Sequence, residues 1–221
     1  MKNDAGGWLK QYNLLIFEDI DSTNEEAKRL VKAGVNSDLV IWAKSQTKNN
    51  LSSRNGLAPI SGNLHLSILL FPKEDILYSS GMSFVASVAV GQMLANFHPN
   101  GGNVSYKWPN EIKIDDRTVA QILLEPYSDY LIIGVEINIL ELEINKAIDE
   151  FMKSFNYWFD IWKKKGLNPI REKWLSKRNN IGEVITVIFG NNRISGVFED
   201  ITENGSIKII LAGGQEYYIK L

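Results

Sequence analysis

The segment Asp21-Ser22-Thr23-Asn24-Glu25-Glu26-Ala27 places two hydroxyls and a carboxamide just ahead of an apolar helical pattern. Ser22 followed by Glu25 has the spacing of a capping box, and Thr23 followed by Glu26 offers the alternative frame. At a helix start, hydroxyls and free backbone N–H groups can equally meet a polar or anionic ligand. Local pattern alone leaves capping and ligand binding both open. Residues 44–63 form a polar stretch rich in Ser, Asn and Gly, of a length that is usually functional or mobile inside a domain. Further on, a two-residue turn at Asp115-Asp116 pairs Ile114 with Arg117 and Lys113 with Thr118. Directly paired residues share a face, so the Lys113 ammonium and the Thr118 hydroxyl belong to one side of that hairpin.

Other chemistries are excluded or weakened. The chain of 221 residues contains no cysteine, so disulfides, thiolate metal sites and a cysteine nucleophile are ruled out. His65 and His98, the only two histidines, are far apart and lack carboxylates at ligand spacing, which argues against a built-in zinc site. A net charge of −2 and a pI near 5.8 provide no basic field for nucleic acid. The first residues lack the apolar run of a signal peptide, and no stretch approaches a membrane span of roughly 18–20 apolar residues. A soluble cytoplasmic protein is the expectation.

The elements that must position these residues follow from periodicity. Strands are expected at 14–20, 39–43, 64–71, 104–107, 111–114, 117–125 and 131–139. Helices are expected from Ser22 to near Gly34, over 79–97, over 142–165 with an aromatic stripe through Phe151, Phe155, Trp158 and Trp162, and shortly after Pro169. From Gly182 four short alternating strands are separated by Gly/Asn turns, which reads as a small barrel. The fold class is therefore α+β, a mixed central sheet flanked by helices plus a small C-terminal β-barrel. The composition shift at Arg178-Asn179-Asn180 suggests units at 1–178 and 179–221.

Four segments together resemble the biotin protein ligase family, in its order and at its spacing: Asp21–Ala27, Ser61-Gly62-Asn63-Leu64-His65-Leu66-Ser67, Lys107-Trp108-Pro109-Asn110-Glu111 and Ile133-Gly134-Val135-Glu136-Ile137-Asn138. Gly166-Leu167-Asn168-Pro169-Ile170-Arg171 and the C-terminal strands are also similar. The resemblance covers nearly the whole chain and is to the monofunctional type, without the helix-turn-helix domain of some relatives. It implies a biotin/lipoate ligase-like catalytic domain that joins biotin to ATP. The biotinyl group then passes to a lysine of a biotin carboxyl carrier domain, usually with Mg²⁺, and a homodimer formed through sheet edges is conceivable. It further implies that Ser22, Thr23, Asn24, Gln46, Gln121, Gly134 and Glu136 face biotin, and that Lys48, Arg54, Lys107, Trp108, Asn110 and Asn138 face the nucleotide. Glu111, with Asn110, would help hold magnesium.

Several positions depart from the family pattern. The Gly/Arg-rich loop is represented by Thr47-Lys48-Asn49-Asn50-Leu51-Ser52-Ser53-Arg54-Asn55-Gly56, with Arg54 the one matching arginine. Thr118 stands where the family has an essential lysine, and Gln121 and Glu136 stand where it has glycines. Removing such a lysine from a water-excluded site costs on the order of several kcal/mol of transition-state stabilisation. Lys113, Thr118 and Arg54 are accordingly the candidate catalytic positions, with Lys113 reaching across the hairpin as a possible substitute for the missing cation. Glu136 is expected to narrow the pocket unless it turns away or meets Arg54 or Lys113. Two other readings stay open: a relative that binds the carrier or a small acyl ligand without catalysis, and a lipoate-class acyl ligase or transferase.

Overall fold

The computed structural model describes residues 7–48, 63–71, 81–97, 103–138, 143–177, 181–189 and 192–219. After a short 3-10 turn, Gly7–Lys10, come β1 (Asn13–Ile20), α1 (Thr23–Lys32), β2 (Leu39–Gln46) and β3 (Asn63–Leu70). They are followed by α2 (Gly81–Phe97), β4 (Val104–Lys107), β5 (Glu111–Ile114), β6 (Arg117–Tyr127) and β7 (Tyr130–Asn138). Two helices, α3 (Ile144–Lys165) and α4 (Asn168–Leu175), lead to β8 (Val184–Phe189), β9 (Asn192–Ile201), β10 (Ile207–Ile210) and β11 (Glu216–Ile219).

Seven strands form one mixed sheet in the order β1-β2-β3-β7-β6-β5-β4. β1 and β2 run parallel, joined by the α1 crossover, and the other pairings are antiparallel. Strand alternation divides the sheet into two unlike faces. Val40, Leu64, Leu66, Ile68, Ile122, Ile133 and Ile137 point to one face, where α2 and α3 complete the main core. There α2 is apolar on all sides because it is enclosed on all sides. A Cβ at Gly91 would collide with the Tyr106 ring, so glycine sets how closely α2 approaches the sheet. On α3, Phe151 and Phe155 are fully buried and Trp158 nearly so, each burial stabilising by roughly 1.5–3 kcal/mol.

The opposite face is only half covered. Ala27, Leu30 and Val31 of α1 pack over Leu39, Ile41, Leu69, Tyr130 and Ile132. Beyond the N-terminus of α1 the same face carries polar residues, and there the candidate site lies.

The strands expected at the C-terminus are present as a four-stranded antiparallel sheet, order β11-β10-β9-β8. Its strands pair in chain order as a meander among the described residues, the small C-terminal β unit that the turn spacing suggested. Trp174 of α4 links the two sheets, meeting Phe84 at 5.6 Å and Phe198 at 6.4 Å edge-on and stacking on Tyr106 at 5.8 Å. Arg171 reaches Asp200 at 2.5 Å and donates through Nε to the Ile201 carbonyl. No helix among the described residues is long and apolar enough to cross a membrane.

Candidate ligand-binding cleft

Ser22 is the N-cap of α1, with φ −160° and ψ 135°, and its hydroxyl accepts from the Glu25 N–H at 3.4 Å. The reciprocal half of the capping box is not made. Lys28 takes the Glu25 carboxylate at 2.8 Å, and the Ser22 N–H donates to Asp21 Oδ1 at 2.9 Å. Asp21 is in turn held by Arg29 at 2.6 Å, which lowers its carboxyl to about pKa 2.

Thr23 and Asn24 are buried, and their partners come from distant strands. The Thr23 N–H donates to Gln46 Oε1 at 2.9 Å, while Gln46 Nε2 donates to the Lys48 carbonyl at 2.9 Å. Gln46 therefore belongs to the end of β2, tied to α1, and is not a solvated loop residue. Asn24 Nδ2 donates to Glu125 Oε2 at 2.6 Å, and Asn24 Oδ1 accepts from the Ser67 hydroxyl at 2.5 Å. Lys28 closes the network on the other Glu125 oxygen at 3.1 Å. A Cβ at Gly134 would lie 2.6 Å from Asn24 Oδ1, so the glycine makes room for this carboxamide.

These groups border a small, partly open cleft lined by Ser22, Thr23, Asn24, Gln46, His65, Leu123, Gly134, Val135 and Glu136. Its floor is part of a cross-strand row. Pairing joins Phe17, Ala43, His65, Glu136, Gln121, Glu111 and Lys107, one residue from each of the seven strands. Directly paired residues share a face, so this row crosses the whole half-covered side of the sheet. His65 is buried, and burial pushes its imidazole down to about pKa 4, leaving it neutral near pH 7. Its Nδ1 and both polar atoms of the Gln121 carboxamide lack a hydrogen-bond partner among the described residues. Buried polar groups are normally satisfied, so unmet atoms beside a cleft point to a ligand.

The outer strands hold a second cluster. Asp115 (φ 48°) and Asp116 (φ 65°) form the two-residue turn, and Ile114–Arg117 and Lys113–Thr118 pair as the hairpin pattern requires. A register shift between Ile112 and Lys113 then aligns Glu111 with Gln121. The Thr118 hydroxyl donates to Glu111 Oε2 at 2.7 Å, and Lys107 Nζ lies 3.8 Å from Glu111 Oε1. Lys113 makes no ion pair among the described residues. Asn110 pins the turn after β4 to β6, its Nδ2 donating to the Ile122 carbonyl at 2.8 Å while its Oδ1 is buried without a partner among the described residues. Trp108 is buried, and its Nε1 has no partner among the described residues. Asn138 ends β7 opposite Asn63, and Lys48, largely exposed, lies 3.8 Å from Asp21. Arg54 and the rest of 49–62 fall outside the described residues. No three His, Asp or Glu side chains gather as a metal site among the described residues.

Of the residues singled out from sequence, Ser22, Thr23, Asn24, Gln46, Gly134 and Glu136 meet at the cleft. Glu136 is among the residues that line it. Lys107, Glu111, Lys113 and Thr118 gather two strands away, with Gln121 between the groups. His65, Ser67, Leu123 and Glu125 were missed as site residues. The first two carried a signal, because His65 and Ser67 alternate with Leu64, Leu66 and Ile68 and so put polar groups on one face of an apolar strand.

Comparison with known proteins agrees with this geometry. No family model matches the chain. It is 26% identical over 216 residues to a biotin–[acetyl-CoA-carboxylase] ligase of Paracoccus denitrificans, covering 85% of this chain and 90% of the relative. It is 22% identical to the bifunctional ligase/repressor of Escherichia coli, covering 91% of this chain and 70% of that protein. The solved biotin protein ligase of Aquifex aeolicus in complex with biotin and ATP superposes with a TM-score of 0.76 at 24% identity, covering 94% and 95% of the two chains. At 221 residues, about the size of the monofunctional type, the chain is similar in sequence to biotin protein ligases and has their fold over nearly its whole length.

Proposed function

We propose that the chain is an ATP-dependent biotin protein ligase, forming biotinyl-adenylate and pyrophosphate and then acylating a lysine of a biotin carboxyl carrier domain. The observation that carries this reading is the prearranged cleft between the start of α1 and β7, in a chain with the ligases' fold. Ser22, Thr23, Asn24, Gln46, Gly134 and Glu136 bind the acid there. Lys107, Trp108, Asn110, Asn138, Lys48 and Arg54 serve the nucleotide side, and residues 1–178 form the catalytic unit beside the C-terminal sheet. Glu111, with Asn110, serves magnesium on the nucleotide side; its carboxylate is engaged by Thr118 and Lys107, and Mg²⁺ of this kind commonly keeps substrate phosphates among its ligands.

One set of contacts favours a second reading, a relative that binds the ligand or carrier without ligation. Thr118 carries no charge and spends its hydroxyl on Glu111, and Lys107 is the one cation in the cross-strand row. Calorimetry with biotin, then with biotin and Mg-ATP, followed by a biotin-transfer assay on a carrier domain, tests both. Ligation predicts heat in both titrations and a labelled carrier. Binding without transfer selects the second reading, and no heat in either titration overturns ligation and retained ligand binding alike.

A further inference from the structure

Five side chains from α1, β3 and β6 form one continuous series that ends at the cleft. Lys28 Nζ lies 3.1 Å from Glu125 Oε1, and Asn24 Nδ2 donates to Glu125 Oε2 at 2.6 Å. The Ser67 hydroxyl oxygen lies 2.5 Å from Asn24 Oδ1 and 2.7 Å from Thr23 Oγ1. Thr23 and Asn24 line the cleft, whereas Lys28, Ser67 and Glu125 stand behind them. Ser67, Asn24 and Thr23 are all buried, so the middle of the series is shielded from solvent.

The direction of every hydrogen bond follows from the charged end. A carboxylate only accepts, so Glu125 holds the Asn24 carboxamide with its NH₂ toward itself and its oxygen toward Ser67. Ser67 has a single hydroxyl hydrogen, and Asn24 Oδ1 takes it. The hydrogen in the 2.7 Å contact between Ser67 and Thr23 must then come from Thr23, because two oxygens that close repel without one. The other acceptor near Thr23 Oγ1 is Gln46 Oε1, which is farther away at 3.3 Å and already receives the Thr23 N–H at 2.9 Å. With its hydrogen engaged by Ser67, the Thr23 hydroxyl can only accept from a group in the cleft.

We propose that Glu125 is a positioning residue for ligand binding: through Asn24 and Ser67 it sets the direction of the Thr23 hydroxyl and makes this wall of the cleft an acceptor for a ligand N–H. Glu125 does this without lining the cleft, and Lys28 steadies it by holding its other oxygen. The inference rests on the biotin reading above; biotin carries N–H donors in its ureido ring and none on its ionised carboxylate.

The test is a double-mutant cycle, read by calorimetry of the full chain with biotin, over the parent, Glu125→Gln, Thr23→Val and the double variant. Glu125→Gln keeps the size of the side chain but leaves it one oxygen. Lys28, which has donors only, claims that oxygen in a charge-assisted bond and turns the new NH₂ group toward Asn24. Asn24, Ser67 and Thr23 then reverse in turn, and a hydroxyl hydrogen faces the ligand N–H. The expected result is biotin binding weakened about tenfold or more by Glu125→Gln in the parent, and by no more than about twofold in the Thr23→Val background. A merely structural role, in which Glu125 only holds α1 in place, would weaken binding equally in both backgrounds. Should Glu125→Gln fail to fold, Glu125→Leu provides the same comparison, because the Lys28 ammonium then draws the Asn24 oxygen toward itself. Equal losses in the two backgrounds, or parent-like binding by the position 125 variant, overturn the inference and leave the biotin reading standing. No biotin binding by the parent overturns the biotin reading and this inference with it.

Discussion

Asn24 has one orientation available. The Glu125 carboxylate only accepts, so Nδ2 must face it, and that leaves Oδ1 to accept from the Ser67 hydroxyl. His65, two residues from Ser67 on the same face, is held by burial instead of by partners. Its folded pKa of about 4 lies below the 6.5 of an exposed imidazole, so the unfolded chain takes up the proton first as pH falls. Sign follows directly: the His65 contribution is constant above about pH 6.5, erodes down to about pH 4 and changes no further below it. Between pH 7 and pH 5 the parent should lose about 2 kcal/mol more stability than His65→Gln, measured by chemical denaturation. Equal losses would mean that the imidazole is solvated in the folded protein.

Among the elements, the decisive contact is between the start of α1 and the middle of β7. The helix can present Ser22, Thr23 and Asn24 to the sheet only because Gly134 lacks a side chain at the point of approach. Gly134→Ala places a methyl 2.6 Å from Asn24 Oδ1, against an amide locked at both ends, so the helix or the strand must shift. Overpacking of this kind costs about 1–3 kcal/mol. Denaturation should show that loss together with at least a tenfold weakening of biotin binding by calorimetry. Parent-like values for both would show that α1 is not held at this distance. The α1 boundary was legible in the sequence because capping is local; the close approach to β7 was not, since it joins residues 110 positions apart.

At the scale of the molecule, two sheets share one apolar core through α4, with Trp174 between Phe84 and Phe198. Arg171 supplies the polar clasp to the C-terminal sheet. Its pair with Asp200 is partly exposed and contributes little, whereas its bond to the Ile201 carbonyl is charge-assisted and more sheltered. Arg171→Ala should therefore cost about 1–2 kcal/mol. In hydrogen exchange the amides of β8–β11 should lose protection before those of the seven-stranded sheet. Uniform exchange across both sheets would rule out a separable clasp.

Sequence by itself determined whatever depends on neighbours along the chain. The Ser22 cap, the Asp115-Asp116 turn and the pairing of Lys113 with Thr118 follow from residue types that tolerate those backbone angles. The apolar faces of β3 and α3 follow from periods of two and 3.6. Tertiary structure alone decided which strands are adjacent. β7 lies between β3 and β6, and only that order aligns His65, Glu136, Gln121 and Glu111 in one row and brings Glu125 to Asn24. The register shift within the β5–β6 hairpin accompanies the contact of Thr118 with Glu111, and the Lys113 pairing, correct in register, does not by itself deliver a cation to the cleft. Strand order is a long-range property set by packing of the whole core, and no local spacing encodes it.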